Sequence, residues 1–296
     1  SMNVLAVKTL TDYVGETESY DYLLNFGFTT LTDADKNSQA KALGGLTLGV
    51  YNTELTAAYA AIANGGTYIE PTLYTQILDH DGNVLLDNTT PLSHEVIKDS
   101  TAYLLTSAME DVVKQGTGTA CQLDNMPVAG KTGTTEAYND LWFVGYTPYL
   151  TGGVWSGYDD SSAQSSGSYT KEIWRTIMEQ LSKKSKHKTF TKPSSITTAS
   201  ICTKCGKLAI EGICNNAVGG SCTRKEYFDR ENVPTENCDC HIKCQICSAS
   251  GALANDRCPS YQVHTKIYLQ KKETSRTNDT PYVLPDALSH DTCHIH

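Results

Sequence analysis

Long apolar runs are missing from this 296-residue chain. None approaches the roughly 18–20 residues that cross a bilayer as a helix. Positive charge is also scarce. Lys and Arg total 24 against 33 Asp and Glu, a net charge of −9. A chain without concentrated Lys and Arg is a poor match for a phosphate backbone, so no nucleic-acid partner is expected. Cysteine is nearly absent from most of the chain, since Cys121 alone precedes Cys202. No secretory leader is recognisable, and the first residues read as the middle of a domain.

What is present suits a globular protein, with 39% hydrophobic and 19% charged residues. The length suggests about two domains. The ten cysteines from Cys202 to Cys293 mark the division. A core stabilises the first module, whereas the second is small and polar and needs cross-links.

Residues 1–182 alternate helix and strand patterns. Val4–Leu10 and Tyr20–Phe26 read as short helices. Asn52 or Thr53 can cap a helix whose apolar face is Leu55, Ala58, Tyr59 and Ile62, ended at Gly65-Gly66. Leu73–Leu78 and Val84–Leu86 flank a turn signal, as in a hairpin. Ser100 can cap a helix through Leu104, Leu105, Ala108, Met109 and Val112. Ala129–Thr134, Leu141–Tyr146 and Gly153–Tyr158 suggest an antiparallel meander. A last helix, about Tyr169–Leu181, carries Ile173, Trp174, Ile177, Met178 and Leu181 on one face.

Residues 183–200 are rich in Lys, Ser and Thr and read as a flexible linker. Residues 201–296 contain two repeats, about 201–242 and 246–295. Ile201-Cys202 through Leu208-Ala209 matches Ile246-Cys247 through Leu253-Ala254, Cys214 matches Cys258, and Cys240-His241-Ile242 matches Cys293-His294-Ile295. Each copy is too small for a core of its own.

The segment richest in chemistry is Ala129-Gly-Lys-Thr-Gly-Thr-Thr135. It offers an ammonium and two hydroxyls on a strand edge, and Gly133 leaves room for close approach. Such an edge can take an extended substrate by strand addition and hold its carboxylate.

The surrounding strings are Ala42-Leu-Gly-Gly45, Ala57-Ala-Tyr-Ala-Ala-Ile-Ala-Asn-Gly-Gly66, Gly116-Thr-Gly118, Asp140-Leu-Trp-Phe-Val-Gly-Tyr-Thr-Pro148 and Val154-Trp-Ser-Gly-Tyr158. The opening is Ser1-Met2-Asn3-Val4. In this order they resemble the transpeptidase domain of class A penicillin-binding proteins over about residues 1–182. The resemblance implies an α/β (α+β) penicillin-binding/β-lactamase-like fold, incomplete on its N-terminal side. It implies acyl transfer by serine with backbone N–H groups stabilising the oxyanion. Ser1 and Asn3 would fill the Ser-x-Asn element as catalytic groups. Lys131, Thr132, Gly133 and Thr134 would hold the substrate carboxylate, and the Thr134 N–H would be an oxyanion donor.

The family's Ser-x-x-Lys, which supplies the nucleophile, precedes Ser-x-Asn. Ser38 to Lys41, Ser168 to Lys171 and Ser185 to Lys188 fit that spacing but fall out of order and read as background. The chain is therefore expected to be inactive alone, marginal in stability, and dependent on the upstream half of the same domain. The implied partners are peptidoglycan stem peptides and β-lactams, at the extracytoplasmic face of the bacterial membrane. Membrane attachment would come only through an anchor outside this chain. No cofactor is implied. A D,D-carboxypeptidase or β-lactamase-like hydrolase and a non-catalytic cell-wall fragment are the alternatives.

Asp140 reads as a solvated strand start, His80 and His94 as exposed, and Cys121 as a half-buried free thiol with no group to activate it. In the tail, Cys202-x2-Cys205, Cys238-x-Cys240-His241 and Cys244-x2-Cys247 have zinc-like spacing. An extracytoplasmic setting favours a disulfide-rich tail over zinc on Cys202, Cys205, Cys244 and Cys247. His241 and His294 are then not ligands.

Overall fold

A computed structural model describes residues 2–165, 167–270, 279–286, 288 and 291–296. Two compact units divide the chain, residues 1–194 and 195–296. In the first unit the helices are α1 (Asn3–Thr9), α2 (Glu16–Asn25), α3 (Asp33–Lys36), α4 (Asn52–Ala63), α5 (Asp99–Gln115) and α6 (Tyr169–Ser182). Its strands are β1 (Thr67–Ile69), β2 (Gln76–Leu78), β3 (Val84–Asp87), β4 (Ser93–Glu95), β5 (Ala129–Thr134), β6 (Asp140–Tyr146) and β7 (Thr151–Gly157).

The expected meander is the centre of this unit: β5, β6 and β7 pair antiparallel in sequence order. Glycines at Gly130, Gly145, Gly152 and Gly153 let helices and side chains approach the sheet closely. A Cβ at Gly130 would stand 2.8 Å from Phe143 Cζ and 2.9 Å from Val144 O. Val113, Cys121, Val128 and Phe143 pack with Trp174 and Met178 of α6 on one face. Ile62, Ala102, Met109, Ala129 and Tyr146 form a core with α4 and α5 on the other.

The hairpin forms as β2 against β3. Asp79 closes its turn by accepting from the N–H groups of Asp81 and Asn83. Gly66, at φ +97°, ends the α4 turn where a side chain would strike Ile97 O.

Four local expectations differ from the structure. Neither Asn52 nor Thr53 caps α4, which begins at Asn52 after Tyr51 and has no side-chain cap bond. Ser100 does not cap α5, which begins at Asp99 and buries Ser100 in its first turn. The apolar face of α6 is split. Trp174 and Met178 are buried under the sheet, while Ile173, Ile177 and Leu181 are 45%, 49% and 57% exposed. The stretch 183–200 is not one linker. Phe190 packs edge-on against Tyr146 at 5.6 Å, His187 Nδ1 meets Asn125 O, and Ile196 already begins a strand. The packing of the aromatic ring and the antiparallel pairing of Ile196–Cys202 with Thr223–Asp229 outweigh the polar composition.

The second unit contains β8 (Ile196–Cys202), β9 (Thr223–Asp229), β10 (His241–Cys247) and β11 (Val263–Leu269), paired β8 with β9 and β10 with β11. Its backbone reveals the repeat and corrects its register. Cys202 N donates to Lys207 O as Cys247 N does to Ala252 O. Leu208 N donates to Glu236 O and Cys238 N to Leu208 O. In the second copy, Leu253 N donates to Asp291 O and Cys293 N to Leu253 O. Cys238 therefore corresponds to Cys293 and His241 to His296. The local Cys-His-Ile match is two residues out of step.

All eleven cysteines are free thiols, so the expected disulfide pairing is absent from the tail. The physical reason is the way the sulfurs gather. Several converge on shared points with an imidazole instead of standing in bonded pairs.

Candidate functional site

β5 is an edge strand, and its pairing determines what it can offer. Thr135 N donates to Asp140 O, continuing the register in which Gly133 faces Trp142 and Lys131 faces Val144. Antiparallel pairing alternates, so the N–H and C=O groups of Thr132 and Thr134 point away from β6. Among the described residues, no further strand pairs with that edge.

The pleat sends neighbouring side chains to opposite faces. Thr132 shares a face with its partner Phe143, and Lys131 shares the other with Val144. The ammonium nevertheless returns to the edge, where Lys131 Nζ donates to Thr132 O at 2.8 Å. Burial lowers the Lys131 pKa, because a half-desolvated ammonium is disfavoured. Thr132 Oγ1 lies 2.8 Å from Thr117 Oγ1, which ties the loop after α5 to the strand.

The hydroxyl face opens on a 540 Å³ cleft lined by Thr117, Thr132, Thr134, Tyr138, Trp142 and Lys171, among others. Its wall is a strained loop in which Ala137 and Tyr138 have φ of 54° and 60°. Left-handed conformations cost a non-glycine residue about 1–3 kcal/mol each. Buried Gln164 holds the loop, with Nε2 donating to Tyr138 O at 3.0 Å and to Ser156 O at 2.9 Å. Asp140 is half-buried rather than solvated. It accepts from Trp155 Nε1 at 2.9 Å, and its own N–H donates to Thr135 Oγ1 at 2.7 Å. These bonds fasten the end of β5 and so orient Thr134.

The remaining candidates are placed differently. Ser1 lies outside the described residues. Asn3 is exposed at the start of α1, which packs mainly on Leu10–Val14 and Gln39–Leu43. Ser38 caps the short helix after it by accepting from Ala40 N, and Lys41 Nζ donates to Asp35 O and Lys36 O. Ser168 and Lys171, by contrast, both line the cleft.

Cys121 is fully buried, and burial pushes its pKa up to about 12, far from a nucleophile's range. His80 is exposed, and exposed His94 meets Asn25 O at 2.9 Å. The cysteines named for zinc do not form one site. Cys205 packs beside Cys202, Cys244 lies with Ile246 and Tyr268 in a separate cluster, and Cys247 joins a different group.

Thr117 belongs to the Gly116-Thr-Gly118 string, which signalled it. Tyr138 and Gln164 come to the cleft through a loop conformation that no local pattern announces.

The penicillin binding protein transpeptidase domain matches residues 1–179, and the C-terminal domain of penicillin-binding protein 1A matches residues 192–243. Penicillin-binding protein 1A of Clostridium botulinum strain Langeland is 34% identical over 97% of this chain and 35% of its own length. That of Clostridium novyi is 33% identical over 97% and 33%. The chain thus spans about a third of these relatives.

PonA1 of Mycobacterium tuberculosis superposes with a TM-score of 0.54 at 27% identity, covering 61% of this chain and 53% of the other. The Haemophilus influenzae penicillin-binding protein 1A superposes with a TM-score of 0.63 at 22% identity, over 80% and 39%, a likeness of fold. The chain belongs to the penicillin-binding protein transpeptidase family and has its mixed α/β fold.

Proposed function

We propose that this chain supplies the substrate-holding part of a peptidoglycan D,D-transpeptidase at the outer face of the bacterial membrane. The observation that carries the reading is the edge of β5 with which no described strand pairs. There, the outward N–H of Thr134, the Thr132 hydroxyl and the half-buried Lys131 ammonium lie together. An anionic ligand that displaces the Thr132 carbonyl from Lys131 would gain a partly desolvated ion pair, stronger than one in open water. The C-terminal carboxylate of a D-Ala-D-Ala stem peptide, or that of a β-lactam, has the required charge. A related PonA1 structure is described as a complex with penicillin V.

The nucleophile is proposed to come from an upstream Ser-x-x-Lys segment of the same domain. Two surfaces support docking of such a segment. Among the described residues, β7 has no partner beyond β6. Beside it, α6 exposes Ile173, Ile177 and Leu181. Strands added to β7 would cover that apolar row.

The test is intact-mass analysis after incubation with penicillin, using this chain alone and then with the upstream segment supplied as a second polypeptide. The expected adduct appears only in the mixture, on the second polypeptide, and is lost with Lys131→Ala. An adduct on the isolated chain would overturn the assignment and direct attention to Ser168 in the cleft. Release of D-Ala with transfer to an amine acceptor separates a transpeptidase from a hydrolase. No adduct in either case would favour a non-catalytic fragment.

A further inference from the structure

The cysteines of the second unit form two groups, one in each repeat. Cys202, Cys238, Cys240 and His241 present ligand atoms that all lie within 4.8 Å of one another, and so do Cys247, Cys258, Cys293 and His296. We propose that each group binds one zinc ion through three thiolates and an imidazole, so that the tail carries a pair of structural metal centres.

Distances support this more directly than composition does. Zinc at about 2.3 Å from sulfur and 2.0–2.1 Å from nitrogen, with tetrahedral angles, sets ligand edges of about 3.8 Å for S···S and about 3.5 Å for S···N. In the first group, Cys202 and Cys240 sulfurs are 3.8 Å apart and those of Cys238 and Cys240 are 3.5 Å apart. His241 Nδ1 stands 3.2, 3.5 and 3.8 Å from the sulfurs of Cys238, Cys240 and Cys202. In the second group, His296 Nδ1 is 3.5 Å from Cys247 and 3.4 Å from Cys293. A disulfide needs a bond of about 2.05 Å and joins sulfurs in pairs, whereas these sulfurs converge in threes on a nitrogen.

The repeat is the second, independent argument. The backbone register equates Cys202 with Cys247, Cys238 with Cys293 and His241 with His296. The spacing Cys-x2-His recurs in both copies although the intervening residues differ. Two copies have kept the same three ligand types at the same backbone positions.

The fourth ligand comes from Cys240 in the first copy and Cys258 in the second. Cys214, which matches Cys258, packs against Cys202 and Cys238 and gives the first centre a spare thiol. Soft thiolates with one imidazole in tetrahedral array select zinc over the hard cations. Four protein ligands leave no open position, so the role is structural.

This proposal concerns the tail alone and does not depend on the penicillin reading. The full chain should be purified without chelator under anaerobic conditions, then analysed for metal by mass spectrometry and for thiols in denaturant. Two zinc ions per chain are expected, with every cysteine titratable once the metal is chelated. Cobalt(II) exchanged into the protein should give the visible bands of a tetrahedral thiolate site.

Cys238→Ser combined with Cys214→Ser, and Cys293→Ser alone, should each leave one zinc, whereas Cys244→Ala should retain both. Should either serine variant fail to fold, the other still reports the loss of a single equivalent. Three outcomes would overturn the proposal. One is a metal-free chain whose mass is short by two hydrogens for each pair of cysteines. Another is free thiols that take up no zinc on reconstitution. The third is loss of metal in Cys244→Ala.

Discussion

Trp174 is the side chain on which the sheet's support from α6 most depends. It is 1% exposed, meets Phe143 edge-on at 4.9 Å, and donates from Nε1 to Gly152 O at 2.9 Å. Phe143 stands opposite Thr132 on β5, so the indole underlies the strand that forms the cleft edge. Trp174→Ala removes the largest fully buried side chain and leaves a cavity, a change that costs about 3–5 kcal/mol. In a unit of this size each kcal/mol moves the melting temperature by about 2–4 °C, so a fall of about 6–20 °C is expected.

Trp174→Phe keeps an aromatic edge but strips Gly152 O of its donor, and should cost about 1–2 kcal/mol. The control is Trp155→Phe, on a side chain 40% exposed whose Nε1 bonds Asp140. That loss should stay near 1 kcal/mol. Thermal unfolding followed by near-ultraviolet circular dichroism reads all three. If Trp174→Ala falls no further than Trp155→Phe, α6 does not hold the sheet and the account of the core is wrong.

Two further outcomes concern charge. Lys131→Met should leave the melting temperature unchanged or raise it, while penicillin labelling of the reconstituted domain disappears. Burial lowers the Lys131 pKa, so its ammonium opposes folding at neutral pH, and stability should rise with pH toward the unfolded value of about 10.4. A large drop in the melting temperature of Lys131→Met would refute that. Asp35 behaves oppositely. Backbone N–H groups of Thr32 and Thr47, with their hydroxyls, hold its pKa down to about 2. Its contribution is present above the unfolded value of about 3.9 and is lost as pH falls from there toward 2. Urea unfolding between those values should therefore show a steep acid limb that Asp35→Asn flattens, and equal slopes would contradict the assignment.

The legible parts of the fold were those in which local pattern and packing agree. The meander showed in its short apolar runs because β6 is buried on both faces and β5 closes against it in simple register. The α6 stripe was misread because a helical pattern counts apolar residues without knowing how wide a surface will cover them. Five fit one face, yet the sheet takes only Trp174 and Met178. The Lys131–Thr134 segment was legible as chemistry, but its geometry was not. Which hydroxyl faces the cleft depends on the pleat, and the cleft wall depends on a loop with two left-handed residues held by Gln164.

The tail shows the limit from the other side. Matching Cys-His-Ile triplets is sound as string comparison, but side chains converge according to backbone register. The ladder bonds at Leu208 and Leu253 set that register two residues away. Once Cys238 is aligned with Cys293, the two histidines fall into step, and three of the four positions in each group recur in the other. The choice between disulfides and metal then rests on coordination geometry within this unit rather than on the compartment it occupies. An extracytoplasmic location favours disulfide formation, but three thiolates coordinated with an imidazole to one ion, as proposed, would be withheld from that reaction.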